Sequence, residues 1–177
     1  PRIFSSGISK TESKRPIFVG NTRAIYRPII KKCIEEKIDF DLYGGGWDKF
    51  LTPQELSEHL ISTTIPNDKL GQAYSSSGIV LNDHWEEMKE HGFISNRVFD
   101  AVAAGALVIS DYVRGMEDIF SEVVIVFRDG ELLQAAIQRA NKTDMKCRQE
   151  AQSRILSEHS FADRARKIQA IVSGFTK

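Results

Sequence analysis

Short apolar runs alternate along the chain with longer stretches in which apolar residues recur every three or four positions. Continuous apolar runs predict strands that are buried on both faces, and the longer period predicts amphipathic helices. The predicted strands are residues 17–20, 39–43, 60–65, 78–81, 106–110 and 123–127. The predicted helices are residues 23–37, a helix that begins near residue 53, and residues 69–75, 95–105, 114–120, 131–140, 144–157 and 160–175.

Strands and helices alternate throughout this pattern. Such alternation predicts an α/β fold with a parallel, doubly wound, Rossmann-like sheet, in which ligands bind beyond the carboxyl ends of the strands. A chain of 177 residues fits one compact domain. Residues 1–16 are polar and show little periodicity, so we expect a linker or amino-terminal arm there and a single domain over residues 17–177.

Composition argues against several classes of protein. The 24 Lys and Arg residues balance the 24 Asp and Glu residues, so net charge does not steer the chain toward nucleic acid. Cys33 and Cys147 lie far apart in helical patterns, which favours reduced thiols over a disulfide or a metal site. The longest apolar stretch, residues 101–109, is too short to span a bilayer, and no leader pattern is present. We therefore expect a soluble, cytoplasmic protein.

The segment of residues 95–111 reads as a polar helix start, a helix of small residues and a buried strand. A helix start presents unpaired N–H groups and the positive end of the helix dipole, which favour a phosphate. Arg97 adds donors beside Ser95 and Asn96, and the Asp100 carboxylate, one turn further on, suits the hydroxyls of a ribose. The alternative is that Ser95 or Asn96 only caps the helix and Asp100 only complements its dipole.

A glycine directly follows the first predicted strand. Gly20 lets the backbone approach a ligand, Asn21 can donate a hydrogen bond, and Arg23 or Arg27 can bind phosphate oxygens. The pattern is neither G-x-G-x-x-G nor a P-loop. An ordinary turn with a solvated arginine explains Arg23 or Arg27 equally well.

Three glycines follow the second predicted strand. Gly45 lies at their centre, and such a run can pass close to a sugar or a nucleotide. Trp47, the next side chain after the run, could stack on a ligand, but packing of its ring under the sheet is the interpretation that we favour.

Residues 82–94 form a polar, charged stretch that we interpret mainly as a solvated helix face. His84 and His91 do not have the spacing of a zinc motif, and no third ligand is evident. We therefore expect no metal site.

Residues 97–105, Arg-Val-Phe-Asp-Ala-Val-Ala-Ala-Gly, and the apolar strand after them resemble a hallmark of the GT-B glycosyltransferases, in their nucleotide-sugar-binding half. Retaining members carry two glutamates separated by seven residues, the second just before a run such as Ala-Met-Ala-x-Gly. Here Asp100 stands at the second position and Gly92 at the first. The chain is most similar to the group 1 and spore-maturation-type glycosyltransferases, whose core is Arg-x-Phe-Glu.

This resemblance implies that the chain is the carboxyl-terminal half of a GT-B enzyme, which transfers a sugar from a nucleotide diphosphate sugar to a glycan, lipid or protein acceptor. It implies that the Gly20 loop lies near the donor diphosphate, that Arg97 and Arg23 stabilise the negative charge there, and that Asp100 holds the ribose.

The resemblance also places the loop of Ile65 and Pro66 against the nucleobase, although a cap for the following helix at Asn67 or Asp68 explains that loop as well. It implies that the reaction requires no metal or other cofactor. An amino-terminal acceptor domain is expected in addition to this chain, and a full-length enzyme of this kind is compatible with peripheral membrane association.

Two alternatives stay open, because the residues offer phosphate donors and a carboxylate but no general base. A non-hydrolysing nucleotide-sugar epimerase would bind the same ligand. A non-catalytic, degenerate nucleotide-binding module is the other alternative, and Gly92 in place of the first glutamate favours it.

Overall fold

A single parallel sheet organises the residues that the computed structural model describes, which are 15–128 and 130–175. Its strands are β1 (Ile17–Val19), β2 (Asp41–Tyr43), β3 (Leu60–Ser62), β4 (Ile79–Asn82), β5 (Leu107–Ser110) and β6 (Val124–Val126). They run in the order β3-β2-β1-β4-β5-β6, and every neighbouring pair is parallel. This arrangement confirms the predicted Rossmann-like, doubly wound fold.

Helices cover the sheet where the periodicity predicted them, with ends shifted by a few residues. They are α1 (Pro28–Glu35), α2 (Pro53–His59), α3 (Asn67–Ser77), α4 (Glu86–Glu90), α5 (Asn96–Ala103), α6 (Met116–Phe120), α7 (Leu133–Ala140), α8 (Met145–Glu158) and α9 (Phe161–Phe175). Helix α4 lies within residues 82–94, which were interpreted mainly as a solvated helix face without defined ends. The part of α9 that the structure describes is too short and too polar to cross a membrane, as are the other described helices.

Helix α1 begins five residues later than predicted. Arg23 and Ala24 have φ values of 50° and 64°, in the left-handed region, which a right-handed helix cannot include. Pro28 then occupies the first turn of the helix, where its fixed φ fits and its missing N–H is not needed. The predicted amino-terminal arm lies outside the described residues except for Arg15 and Pro16, and Arg15 Nη2 donates to the carbonyl oxygen of Phe40 at 2.8 Å.

The strand order creates a switch point between β1 and β4. From β1 the chain winds outward to β2 and β3, then returns to place β4 on the other side of β1 and continues outward to β6. The connections therefore diverge at the carboxyl ends of β1 and β4, the place where doubly wound folds bind ligands in a crevice. Helix α5 packs beside it and buries Val98, Ala101 and Val102 against the sheet.

Side chains of α8 hold the carboxyl end of α5. Arg148 donates from Nε and Nη2 to the carbonyl oxygen of Gly105 at 3.0 and 2.7 Å, and Gln152 donates to that of Ala103 at 2.9 Å. The carbonyl groups at a helix end have no partners within the helix. Arg148 and Gln152 supply donors for two of these carbonyl groups. They thus fix the carboxyl end of α5, which is the end farther from Arg97.

A distant carboxylate caps α7. Glu36, just after α1, accepts the backbone N–H groups of Leu133 and Gln134 at 2.9 and 3.1 Å. Its side chain is only 12% exposed. The first turn of α7 therefore gains an N-terminal cap from a residue 97 positions earlier in the chain.

We expect Glu36→Ala to lower the free energy of unfolding by about 1 to 2 kcal/mol, because it leaves two N–H groups of α7 without their acceptor. Glu35→Ala is the matched control, since the Glu35 side chain is 55% exposed and pairs only at 3.8 Å with Lys31. Urea unfolding of the three proteins measures the difference. Equal losses in the two variants would contradict this role of Glu36.

Candidate functional site

Arg97 lies across the switch point. It belongs to the first turn of α5, and its guanidinium lies over the ring of Phe18, in β1, with 4.8 Å between the guanidinium carbon and the ring centroid. Its Nη1 donates to Oδ1 of Asn82, the last residue of β4, at 2.8 Å. One side chain thus spans the two strands between which the crevice opens.

The charge of Arg97 has no carboxylate partner within the described residues. Besides Phe18 and Asn82, the Tyr74 hydroxyl interacts with it, and burial raises the pKa of Tyr74 to about 12, so this neighbour stays neutral. Burial also lowers the pKa of the Arg97 guanidinium. A half-buried cation held by neutral groups is well suited to receive an anion.

Arg27 has the opposite environment. It is 5% exposed, and its Nε donates to Oδ1 of Asp83 at 2.9 Å while its Nη2 donates to the Asp83 carbonyl oxygen at the same distance. The ring of Trp85 covers the guanidinium, with 4.1 Å to the ring centroid. Asp83 therefore neutralises Arg27, so the Arg27 guanidinium is not available to bind a phosphate.

The loop after β1, which contains Gly20, packs closely against Arg97 and against the loop after β2, which contains Gly44 and Gly45. A Cβ on Gly20 would lie 2.7 Å from Arg97 Nη2, and a Cβ on Gly44 would lie 2.2 Å from the Gly20 carbonyl oxygen. The Asn21 side chain accepts the Gly45 N–H at 2.7 Å, which joins the loops. Close packing of the two backbones thus requires glycine at Gly44, whereas a side chain at Gly20 would displace the Arg97 guanidinium.

Trp47 is buried beneath these loops, as the favoured interpretation predicted. It is 1% exposed, meets the Phe18 ring edge-on at 5.7 Å, and donates from Nε1 to the Gly20 carbonyl oxygen at 3.2 Å. Its ring supports the Gly20 loop from below.

Ser95 and Asn96 form the start of α5. The Ser95 hydroxyl accepts the backbone N–H of Arg97 at 3.3 Å, and the Ser95 carbonyl oxygen accepts that of Val98 at 3.0 Å. The backbone N–H of Asn96 has no acceptor among the described residues. Ser95 therefore caps the helix, and Asn96 leaves a backbone donor open beside Arg97.

Asp100 lines a small cavity of about 60 Å³ between α5 and the junction of α8 and α9. The cavity walls include Phe99, His159 and Arg164. Burial raises the pKa of the Asp100 carboxyl to about 6, although the charge of Arg164 acts in the opposite direction. Asp100 is thus a half-buried carboxylate one turn beyond Arg97.

The remaining predicted residues lie in loops at the same edge of the sheet. Arg23 is exposed in the loop after β1. Ile65 is half-buried and Pro66 is exposed in the loop after β3. Because all six described strands are parallel, these loops share the edge with Arg97, although the structure shows no contact between them and Arg97.

The interpretation of residues 82–94 as mainly solvated is wrong for the beginning of that stretch. Asn82, Asp83 and His84 are at most 6% exposed. The sequence did contain a signal that these residues belong to the site, because they lie at the end of a buried strand and the carboxyl ends of parallel strands carry the ligand site. The described residues contain no group of three or more His, Cys, Asp and Glu side chains that could hold a metal ion.

Comparison with known families gives a match over most of the chain. Residues 21–170 match a family model described as glycosyl transferase-like. The match includes the glycines of the loop after β2 and all of α5, and it begins directly after Gly20. No curated protein matches the chain.

Solved structures share the fold. A TarM mutant from S. aureus, in complex with fondaparinux, alpha-GlcNAc-glycerol and UDP, has a TM-score of 0.63 and 13% identity, over 94% of this chain and 37% of that one. Sucrose-phosphate synthase from Thermosynechococcus elongatus has a TM-score of 0.60 and 15% identity, over 92% and 46%. The catalytic domain of starch synthase IV from Arabidopsis thaliana, bound to ADP and acarbose, has a TM-score of 0.57 and 12% identity, over 97% and 40%. The chain spans less than half of each structure.

We expect Gly44→Ala to destabilise the protein by about 3 kcal/mol, because the new Cβ meets the Gly20 backbone and φ is +131°. Gly45→Ala is the matched control: its φ lies outside the left-handed range, its Cβ lies 3.7 Å from Asn21 Oδ1, and the expected loss is below about 0.5 kcal/mol. Urea unfolding distinguishes the two. A Gly44→Ala variant as stable as Gly45→Ala would disprove the close apposition of the loops.

We expect Asp100→Asn to raise Tm at pH 7.5 and to leave it nearly unchanged at pH 4. The pKa of Asp100 is raised to about 6 in the folded protein, above the ordinary aspartate value of about 4, so stability falls as the pH rises from about 4 to about 6 and stays lower above that, and Asn removes this loss. Glu150→Gln, on an exposed side chain of α8, should change Tm little at either pH. A pH-independent effect of Asp100→Asn would contradict the raised pKa.

Proposed function

The chain belongs to the glycosyl transferase-like family, and we propose that it is the donor-binding half of an enzyme that transfers a sugar from a nucleotide diphosphate sugar. Membership in the family supports sugar transfer. The likeness to longer glycosyltransferase structures supports the view that this chain is one of two halves, because it spans 37 to 46% of their lengths.

The observation that carries the proposal is the position of the Arg97 guanidinium at the switch point without an ion pair. Its guanidinium is held by Phe18 and Asn82 and has no carboxylate partner among the described residues. The diphosphate of a nucleotide sugar brings the negative charge that this cation lacks, and charge-assisted hydrogen bonds to phosphate are among the strongest in proteins. The UDP and ADP present in two of the similar structures are consistent with such a ligand.

Other residues complete the proposed donor site. The open N–H of Asn96 and the dipole of α5 would add to the charge of Arg97, and Gly20 would let the diphosphate approach the backbone. Arg23 lies exposed on the same edge and would contact the outer phosphate oxygens. In this proposal arginines and a helix start neutralise the diphosphate, so no metal ion is needed.

The nucleoside would extend from this point toward α3 and α9. The Asp100 carboxylate would accept hydrogen bonds from the ribose hydroxyls, since it is the next polar group along α5. Ile65 and Pro66 would form the apolar edge against the base, which backbone groups of the same loop would recognise.

In the transfer, the bond between the anomeric carbon and the diphosphate oxygen breaks, and the diphosphate leaves with the electron pair. The acceptor hydroxyl oxygen forms the new bond to the anomeric carbon and loses its proton to a base. Arg97 and the start of α5 would stabilise the charge that develops on the departing diphosphate. We propose that the base and the pocket for a glycan, lipid or protein acceptor belong to an amino-terminal domain.

A non-catalytic nucleotide-binding module is the second candidate. Gly92 favours it, because this glycine has φ +68° and lies just after the C-cap of α4, at the position where the resemblance expects a glutamate. Nucleotide binding without sugar transfer by the complete enzyme would distinguish this module from a transferase.

We expect isothermal titration calorimetry to detect binding of at least one of UDP, GDP, dTDP, CDP and ADP. Arg97→Ala should weaken that binding tenfold or more, because it removes charged hydrogen bonds to the diphosphate. Lys146→Ala, on an exposed side chain of α8, is the control and should bind like the unmodified protein. Addition of EDTA should leave the affinity unchanged. Failure of all five nucleotides to bind, or full binding by Arg97→Ala, would refute the proposed donor site.

A further inference from the structure

A chain of partly buried hydrogen bonds connects β5 to the first turn of α5 through His84. The His84 ring nitrogen Nδ1 lies 2.6 Å from Oδ1 of Asp111, directly after β5. On the other side of the ring, the backbone N–H of Ser95 donates to Nε2 at 3.0 Å. His84 therefore bridges a carboxylate and the residue that caps α5.

These two contacts define the protonation of the ring. A backbone N–H can only donate, so Nε2 carries a lone pair, and the proton of the neutral imidazole resides on Nδ1 and points to Asp111. Asp111 is held in turn, since its Oδ2 accepts the backbone N–H of His84 at 3.0 Å and its Oδ1 accepts the Ser110 hydroxyl at 3.2 Å.

The His84 ring cannot reach a ligand, because its side chain has 0% exposure. Any effect on a ligand must act through the groups that the ring contacts, of which Ser95 is the one that begins α5. At that point the His84 contact orients the helix start, in which the N–H of Asn96 remains open and the guanidinium of Arg97 crosses the crevice.

A second branch of the same network holds the Arg97 side chain. Asn82 accepts from Arg97 with its Oδ1 and donates from Nδ2 to the Ser110 hydroxyl at 2.9 Å. Ser110 and Asp111 thus anchor both the backbone of the first turn, through His84, and its guanidinium, through Asn82. The two groups suited to an anion are held by one partly buried polar network.

We propose that His84 is a positioning residue that fixes the first turn of α5 so that the Asn96 amide and Arg97 meet the diphosphate together. Asp111 sets the tautomer that this role requires. The inference rests on the proposed function and adds to it a residue that makes no contact with the donor. Preorganised donors of this kind bind an anion without first having to be ordered.

Two substitutions at His84 test the contacts of its two ring nitrogens separately. The amide oxygen of His84→Gln can replace Nε2 as the acceptor for Ser95, whereas the shorter His84→Asn can donate to Asp111 in place of Nδ1 but leaves the Ser95 N–H without an acceptor. Calorimetry uses whichever of the five nucleoside diphosphates binds the unmodified protein. We expect His84→Gln to stay within about threefold of the unmodified affinity and His84→Asn to lose tenfold or more.

The outcomes are distinct. Binding by both variants at the unmodified affinity overturns this inference alone, and so does equal loss in both, which indicates general packing around the ring. No binding by the unmodified protein overturns the proposed function and the inference with it. Circular dichroism and Tm establish that each variant is folded before its affinity is compared.

A measurement on the unmodified protein decides the matter if neither variant folds. Nitrogen-15 NMR should show a coupling across the hydrogen bond between the Ser95 amide and His84 Nε2, and the added diphosphate should shift the Asn96 amide strongly. A protonated Nε2, or the absence of this coupling, overturns the inference.

Discussion

The geometry of the candidate site depends on hydrogen bonds at the two ends of α5. An isolated helix of eight residues is not stable in water, and its end groups lack partners within the helix. Arg148 and Gln152 satisfy the carboxyl end from α8, and His84 holds the amino end from the sheet. Because both ends are fixed, the buried face of α5 determines where Arg97 lies relative to β1 and β4.

The periodicity of the chain predicted the sheet, the parallel direction of its strands and the helix that carries Arg97, because these follow from local apolar patterns. The start of α1 was not predictable, since a left-handed backbone at Arg23 and Ala24 overrides an apolar period that extends through them. The burial of Asp83 and His84 was missed because it depends on contacts that are distant in the sequence. Polar residues become core residues when partners from other elements satisfy them, and charge alone does not identify those partners.

Arg27 and Arg97 show how far the candidate site could be predicted from the sequence. Arg27 lies directly before α1 and Arg97 lies in the first turn of α5, both at the same edge of the sheet, and both were candidates to bind phosphate. Asp83 neutralises Arg27, whereas Arg97 contacts an amide, a hydroxyl and a ring. The difference arises from residues 56 positions away from Arg27, so only the folded arrangement separates a structural arginine from one available to an anion.

The cap that Glu36 provides for α7 also affects the order of events during synthesis. A ribosome releases Glu36 long before Leu133 and Gln134, so the cap cannot form until almost one hundred further residues have emerged. Until then the chain can assemble β1 and β2, but the helix that follows β6 lacks its amino-terminal acceptor. A group near the beginning of this domain therefore completes a helix near its end.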